Sequence, residues 1–133
     1  MIKRLAATAL IALLAVTGAA IAAGKLQQRF FLSPSGNISC ELDYTPGGTP
    51  TTAYCEAFKP GVSVTMSASG RIKACHGTRC LSNPPENVTT LAYGRSIALG
   101  PFRCSSSTSA VTCRVVANRR GFSISRSGVR SRG

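Results

Sequence analysis

The chain has 133 residues, one histidine, no tryptophan, six cysteines and a formal net charge of +12. That length holds one small domain rather than two. Its acids are Glu41, Asp43, Glu56 and Glu86 alone, which excludes calcium cages, paired-metal centres and dense carboxylate acid–base sites. A Ser–His–acid triad would have to use His76, and no G-x-S-x-G elbow accompanies it. Glutamate and aspartate two apart, Glu41 and Asp43, read as a solvated strand face rather than a glycosidase pair. No enzyme and no cofactor are expected.

The first residues read as a targeting segment. Lys3 and Arg4 precede an apolar run from Leu5 to Val16, and Ala20-Ile21-Ala22 has the small-residue pattern of a cleavage site. Residues 1–22 are therefore expected to be a signal peptide, leaving 23–133 as the mature domain. The competing reading is an uncleaved anchor, because the apolar stretch approaches the roughly 20 residues of a membrane span. Otherwise membrane contact is only transient, through this segment. Loss of Lys3 and Arg4 lowers the net charge from +12 to +10.

Beyond the leader, short apolar runs alternate with Gly, Pro, Ser and Thr, and no stretch has helical periodicity. Strands are expected at Arg29–Leu32, Asn37–Asp43, Thr52–Phe58, Ser63–Met66 and Arg71–Ala74. A second group falls at Arg95–Leu99, Phe102–Ser105, Ala110–Val116 and Gly121–Ser125. Val62, Val64 and Met66 alternate with Ser63, Thr65 and Ser67, so each strand has one core face and one wet face. The expected fold is all-β: a small, disulfide-stapled antiparallel barrel or sandwich built from short hairpins. Thr45–Pro50 and the Pro-rich Leu81–Asn87 read as longer loops, and the basic end from about residue 126 is expected to fray.

An apolar-S-x-S-G pattern recurs at Leu32–Gly36, Met66–Gly70 and Ile124–Gly128. It predicts tight hairpins, with glycine at positive φ and the serines bonding the turn backbone.

Six cysteines in a small exported domain imply three disulfides. Cys40 and Cys55 flank the Gly/Pro loop, Cys104 and Cys113 flank Ser105–Ser109, and Cys75 and Cys80 enclose four residues. Spacing therefore favours Cys40–Cys55, Cys75–Cys80 and Cys104–Cys113. The first closes a ring of about 15 residues, worth roughly 3 kcal/mol in the chain-entropy model.

Several stretches together carry a likeness: Ser33-Pro34-Ser35-Gly36-Asn37-Ile38-Ser39-Cys40, Leu91-Ala92-Tyr93-Gly94, Gly100-Pro101-Phe102-Arg103-Cys104 and Val111-Thr112-Cys113. They resemble a group of small, exported, cysteine-containing proteins of actinobacteria, mycobacteria in particular, over about Phe30 to Ser127. The resemblance implies a compartment and a disulfide-bonded domain. It implies no activity and no catalytic residues. Ala110 stands where that group often has glycine.

Cys75-His76-Gly77-Thr78-Arg79-Cys80 is the densest cluster of metal-ligand types. A tetrahedral site takes four ligands, and the remaining cysteines read as staples, so no metal is expected. A thiol-redox role for Cys75 and Cys80 stays as an alternative, because short rings are the more reducible ones.

No acid follows Glu86, whereas eight arginines do. Arg114, Arg119, Arg120, Arg126, Arg130 and Arg132 are the candidate anion-binding residues, and anionic envelope components are the candidate partners. Specific nucleic-acid binding is not expected, since most of the aromatics fall at strand positions that read as core. The chain thus reads as a secreted or envelope-associated non-enzymatic β-domain with a binding or structural role. The alternative is a cationic effector acting on anionic membranes or polymers through its arginine-rich end.

Overall fold

The computed structural model describes residues 12–133. Lys3, Arg4 and the first half of the apolar run therefore lie outside the described residues. Residues 12–26 carry no regular structure, and Leu13, Leu14, Val16 and Ile21 are each more than 90% exposed (91%, 92%, 92% and 96%). Among the described residues no helix is long and apolar enough to cross a membrane. Contact with the domain begins at Ala23, whose Cβ lies against Gly48, and at Gly24, whose N–H donates to Pro46 O.

Ten strands follow. β1 (Gln27–Leu32), β2 (Ile38–Tyr44), β3 (Thr52–Ala57), β4 (Val62–Ser67) and β5 (Ile72–His76) form one antiparallel sheet in chain order. β6 (Ser96–Leu99), β7 (Phe102–Ser106), β8 (Val111–Val115), β9 (Gly121–Ser125) and β10 (Gly128–Arg132) form a second in the same manner. Each sheet is a plain meander of adjacent strands. A single 3-10 turn, Thr78–Cys80, opens the connection between them. The basic end expected to fray is instead β10, paired with β9 along its whole length from Gly128↔Ser125 to Arg132↔Gly121.

The inward-facing alternate residues of both sheets make one core. Phe31, Leu42, Val64 and Met66 come from the first sheet and Phe102, Val111, Phe122 and Ile124 from the second, all at 0–1% exposure. Each such side chain contributes about 1.5–3 kcal/mol on burial.

The disulfides are Cys40–Cys55, Cys75–Cys80 and Cys104–Cys113. Cys40 lies directly opposite Cys55 in the β2–β3 register, and Cys104 opposite Cys113 in β7–β8. Their Cα–Cα distances, 4.1 and 4.0 Å, are those of the close, non-hydrogen-bonded kind of antiparallel pair. The two bridges meet between the sheets, where Cys55 Sγ lies 3.8 Å from Cys113 Sγ. Cys75–Cys80 sits at the exposed edge instead and fixes the turn after β5.

All three S-x-S-G segments are hairpin turns, and Gly36, Gly70 and Gly128 have positive φ (72°, 86° and 106°). Ser33 Oγ and Ser67 Oγ lie 3.1 and 2.9 Å from Ser35 Oγ and Ser69 Oγ and accept backbone N–H groups across each turn. Ser107 and Ser109 build a fourth such turn without glycine, in which Ser107 Oγ accepts from Ala110 N.

The Pro-rich connection is tied to the outer face of the first sheet by a buried acid. Glu56, 1% exposed on β3, accepts from Ser82 N–H at 2.6 Å and from Tyr54 Oη at 3.0 Å on one oxygen, and from Ser82 Oγ at 3.2 Å on the other. Further on, Leu32 N–H donates to Thr89 O and Leu91 N–H to Leu32 O, so the same segment covers the β1 edge.

Two outcomes follow. Glu56→Ala strands the Ser82 donors, and an expected loss of about 1–3 kcal/mol is checked by thermal denaturation, with faster amide exchange at Ser82. Mild reduction without denaturant opens Cys75–Cys80 first, because exchange requires access to a sulfur. Alkylation and mass mapping should mark Cys75 and Cys80 while Cys40, Cys55, Cys104 and Cys113 stay protected until the chain is unfolded.

Candidate anion-binding face

In the second sheet the inward residues are Phe102, Cys104, Ser106, Val111, Cys113, Val115, Phe122 and Ile124. Strand alternation therefore sends the residues between them to the outer face, and the register sorts these into two rows crossing the sheet. One row reads Ser96, Ser105, Thr112, Ser123, Arg130 from β6 to β10. The neighbouring row reads Ala98, Arg103, Arg114, Gly121, Arg132. A ladder of hydroxyls thus lies beside a ladder of guanidinium groups. No acid occurs anywhere from β6 to β10.

The hydroxyl row is internally bonded. Thr112 Oγ1 and Ser123 Oγ are 2.8 Å apart, and Arg132 Nε donates to Ser123 Oγ at 2.9 Å, folding its guanidinium over a serine only 5% exposed. Gly121 supplies a notch between Arg114 and Arg132. A Cβ there would lie 2.0 Å from Cys113 O, a backbone atom that cannot yield, so the notch is imposed by the close approach of β8.

Arg103 and Arg114 are directly opposite one another and both exposed. Like charges in that position destabilise a sheet, and local violations of this kind concentrate at functional positions. Beside them lies an open hollow of about 270 Å³ lined by Ser96, Arg103, Ser105, Arg114, Val116 and Arg119 among others. Arg119 reaches its rim from a left-handed backbone, φ 62°, in the β8–β9 turn. Strain of about 1–3 kcal/mol at such a position is borne by a turn whose Asn118 Oδ1 accepts from Arg120 N–H.

Of the six arginines singled out from sequence, Arg114, Arg119, Arg130 and Arg132 belong to this face. Arg120 does not: its Cβ packs against Gly70 of the β4–β5 turn, where an added Cβ would be 2.6 Å away. Arg126 does not either, and lies at the β9–β10 tip near Ser35 and Tyr93. Arg103 belongs to the face although the basic C-terminal cluster omits it. The signal for it was present in the cysteine spacing, since pairing Cys104 with Cys113 puts Arg103 opposite Arg114.

The remaining candidate chemistry is elsewhere. Cys75 and His76 are exposed at the end of β5, with Cys75 bonded to Cys80. The sulfurs of Cys40, Cys55 and Cys113 lie within 4.8 Å of one another, but all are held in disulfides, and a metal would need the thiolate.

Glu41, Asp43 and Glu56 all sit on the outer face of the first sheet, away from the arginine rows. Glu41 lies between its direct neighbours Phe30 and Tyr54. Gln28 Nε2 donates to Glu41 Oε1 at 3.1 Å and to Asp43 Oδ1 at 2.7 Å, holding the two carboxyl groups side by side. Partial burial, and then repulsion from Asp43, raise the Glu41 carboxyl above the usual 4.5.

Comparison with known proteins finds no family model, no curated protein and no solved structure that matches the chain.

The raised Glu41 value fixes the sign of a pH dependence. The folded state binds this proton more tightly than the unfolded chain does. Its contribution to stability is therefore full below the unfolded value and falls as pH rises through the folded one. Glu41→Gln should flatten that decline and be the more stable protein at neutral pH, as thermal denaturation from acid to neutral pH would show.

Proposed function

We propose that this protein is an exported, non-enzymatic β-domain of the cell envelope or extracellular space that binds anionic groups on the outer face of β6–β10. The observation that carries the reading is the pair of rows. Arg103, Arg114 and Arg132 line up beside Ser105, Thr112 and Ser123 on a face without an Asp or Glu side chain. Guanidinium groups present paired donors suited to phosphate, sulfate or carboxylate, and the exposed Ser96 and Ser105 hydroxyls add neutral donors. With no acid on the face to neutralise them, the charges add into one positive potential. Three disulfides fit an oxidising compartment, as does the leader-like run at the start. We read the two sheets as the layers of a sandwich rather than a closed barrel, because each sheet is a separate meander. The motif likeness to small exported actinobacterial proteins agrees with this reading.

The test uses the purified, disulfide-intact protein and a polyphosphate of defined length as probe. Arg103→Ala with Arg114→Ala should weaken binding at least about ten-fold, equivalent to ~1.4 kcal/mol, and lessen its salt dependence. Lys73→Ala with Arg79→Ala, which removes the same two charges from β5 and the Cys75–Cys80 loop, should change it little. Equal loss from both variants would mean that net charge alone attracts the probe, and the proposed face would be wrong.

A further inference from the structure

We infer that the anionic ligand is a carbohydrate chain, held along a groove that runs from the hairpin tips onto the arginine rows; this rests on the anion-binding reading above. Four segments meet at one end of the molecule: the β1–β2, β7–β8 and β9–β10 turns and the loop before β6. They enclose a crevice of about 180 Å³ lined by Ser35, Tyr93, Thr108, Ser109, Arg126 and Ser127 among others. A second hollow of about 210 Å³ shares Ser109, Ala110, Ser125 and Ser127 with the first and continues to Arg130 and Arg132. The shared residues make the two hollows one path, rich in hydroxyls, with Arg126 at its near end and Arg130 and Arg132 at its far end.

The lining identifies the class of occupant. Each serine or threonine hydroxyl offers one donor and two acceptor positions, the same inventory as a sugar hydroxyl. The turns hold several of them in place: Ser33 Oγ to Ser35 Oγ and Ser107 Oγ to Ser109 Oγ at 3.1 Å, and Ser125 Oγ accepting from Ser127 N–H at 3.1 Å. Groups ordered before binding lose less entropy on binding. Tyr93 is 47% exposed and supplies an aromatic ring beside these hydroxyls, the surface on which the apolar face of a pyranose packs. Arg126, Arg130 and Arg132 then call for negative charge on the chain.

Other anionic polymers fit less well. A membrane surface would be met by several apolar residues that insert, and at these tips Tyr93 alone is a large exposed apolar side chain. A nucleic acid would ask for a series of stacking rings, and the crevice has one. A bare polyphosphate would leave the hydroxyl crevice and Tyr93 unused.

The experiment compares the intact protein's binding to three probes: a size-fractionated oligogalacturonate, a polyphosphate matched to it in charge, and vesicles containing phosphatidylglycerol. The oligogalacturonate should bind more tightly than the other two. Tyr93→Ala should weaken it roughly three- to ten-fold and leave polyphosphate unchanged, while Tyr93→Phe retains the affinity. Oligogalacturonate binding no tighter than polyphosphate, or unaffected by Tyr93→Ala, would overturn the carbohydrate inference and leave the arginine face standing. Preference for vesicles would assign the face to a membrane and overturn it likewise. Failure of all three probes to bind would overturn both the inference and the proposed function.

Discussion

Two disulfides touch at the centre of this protein, and the rest of the molecule is arranged around that contact. Cys40–Cys55 locks the middle of the first sheet and Cys104–Cys113 the middle of the second, with Cys55 and Cys113 sulfurs 3.8 Å apart between them. Each bridge joins residues directly opposite in the register, so each forbids a slip of its strand pair. A slip of one residue would exchange inner and outer faces. In β7 it would bury Arg103 and expose Phe102, and in β8 it would bury Arg114 and expose Val115. The covalent link therefore protects the composition of the faces as well as the fold. In a domain this small, with three phenylalanines as its largest wholly buried side chains, the sulfurs also supply a good part of the apolar centre.

Chain-order connectivity turns a linear asymmetry into a spatial one. The first sheet uses residues 27–76 and the second uses 96–132. Glu41, Asp43 and Glu56 therefore fall on one outer face, and the acid-free second half builds the sheet that carries the other. A fold with strands exchanged between sheets would have placed acids beside the arginine rows. Here Glu56 is drawn out of the solvent by the connecting segment, which leaves Glu41 and Asp43 as the accessible acids of the first sheet's outer face.

Much of this was legible in the chain. Alternation in Val62–Ser67 and Phe102–Ser106, glycine after S-x-S, and cysteines flanking polar loops led to strands, turns and disulfide partners that the structure also has. β10 was hidden because Gly128-Val129-Arg130-Ser131-Arg132 holds one large apolar residue among two arginines. Its pairing depends on β9 and on the Arg132–Ser123 bond, which local composition cannot reveal. Glu56 was equally opaque, since its partner Ser82 lies 26 positions away, beyond β4, β5 and the Cys75–Cys80 loop. The rows of the arginine face needed five strands in register, whereas charge density along the sequence pointed to Arg120 and Arg126, which the turns direct elsewhere.

The separation of charge between the outer faces gives the molecule a permanent sense of direction. In the field of a negatively charged surface it experiences a torque as well as an attraction, so diffusional encounters are turned toward one orientation before contact. The second sheet would arrive facing the surface, and the first sheet, with its Gln28-bridged acids and its exposed Cys75–Cys80 loop, would be left facing outward. A layer of such molecules would show the surroundings a face chemically unlike the one that holds it in place.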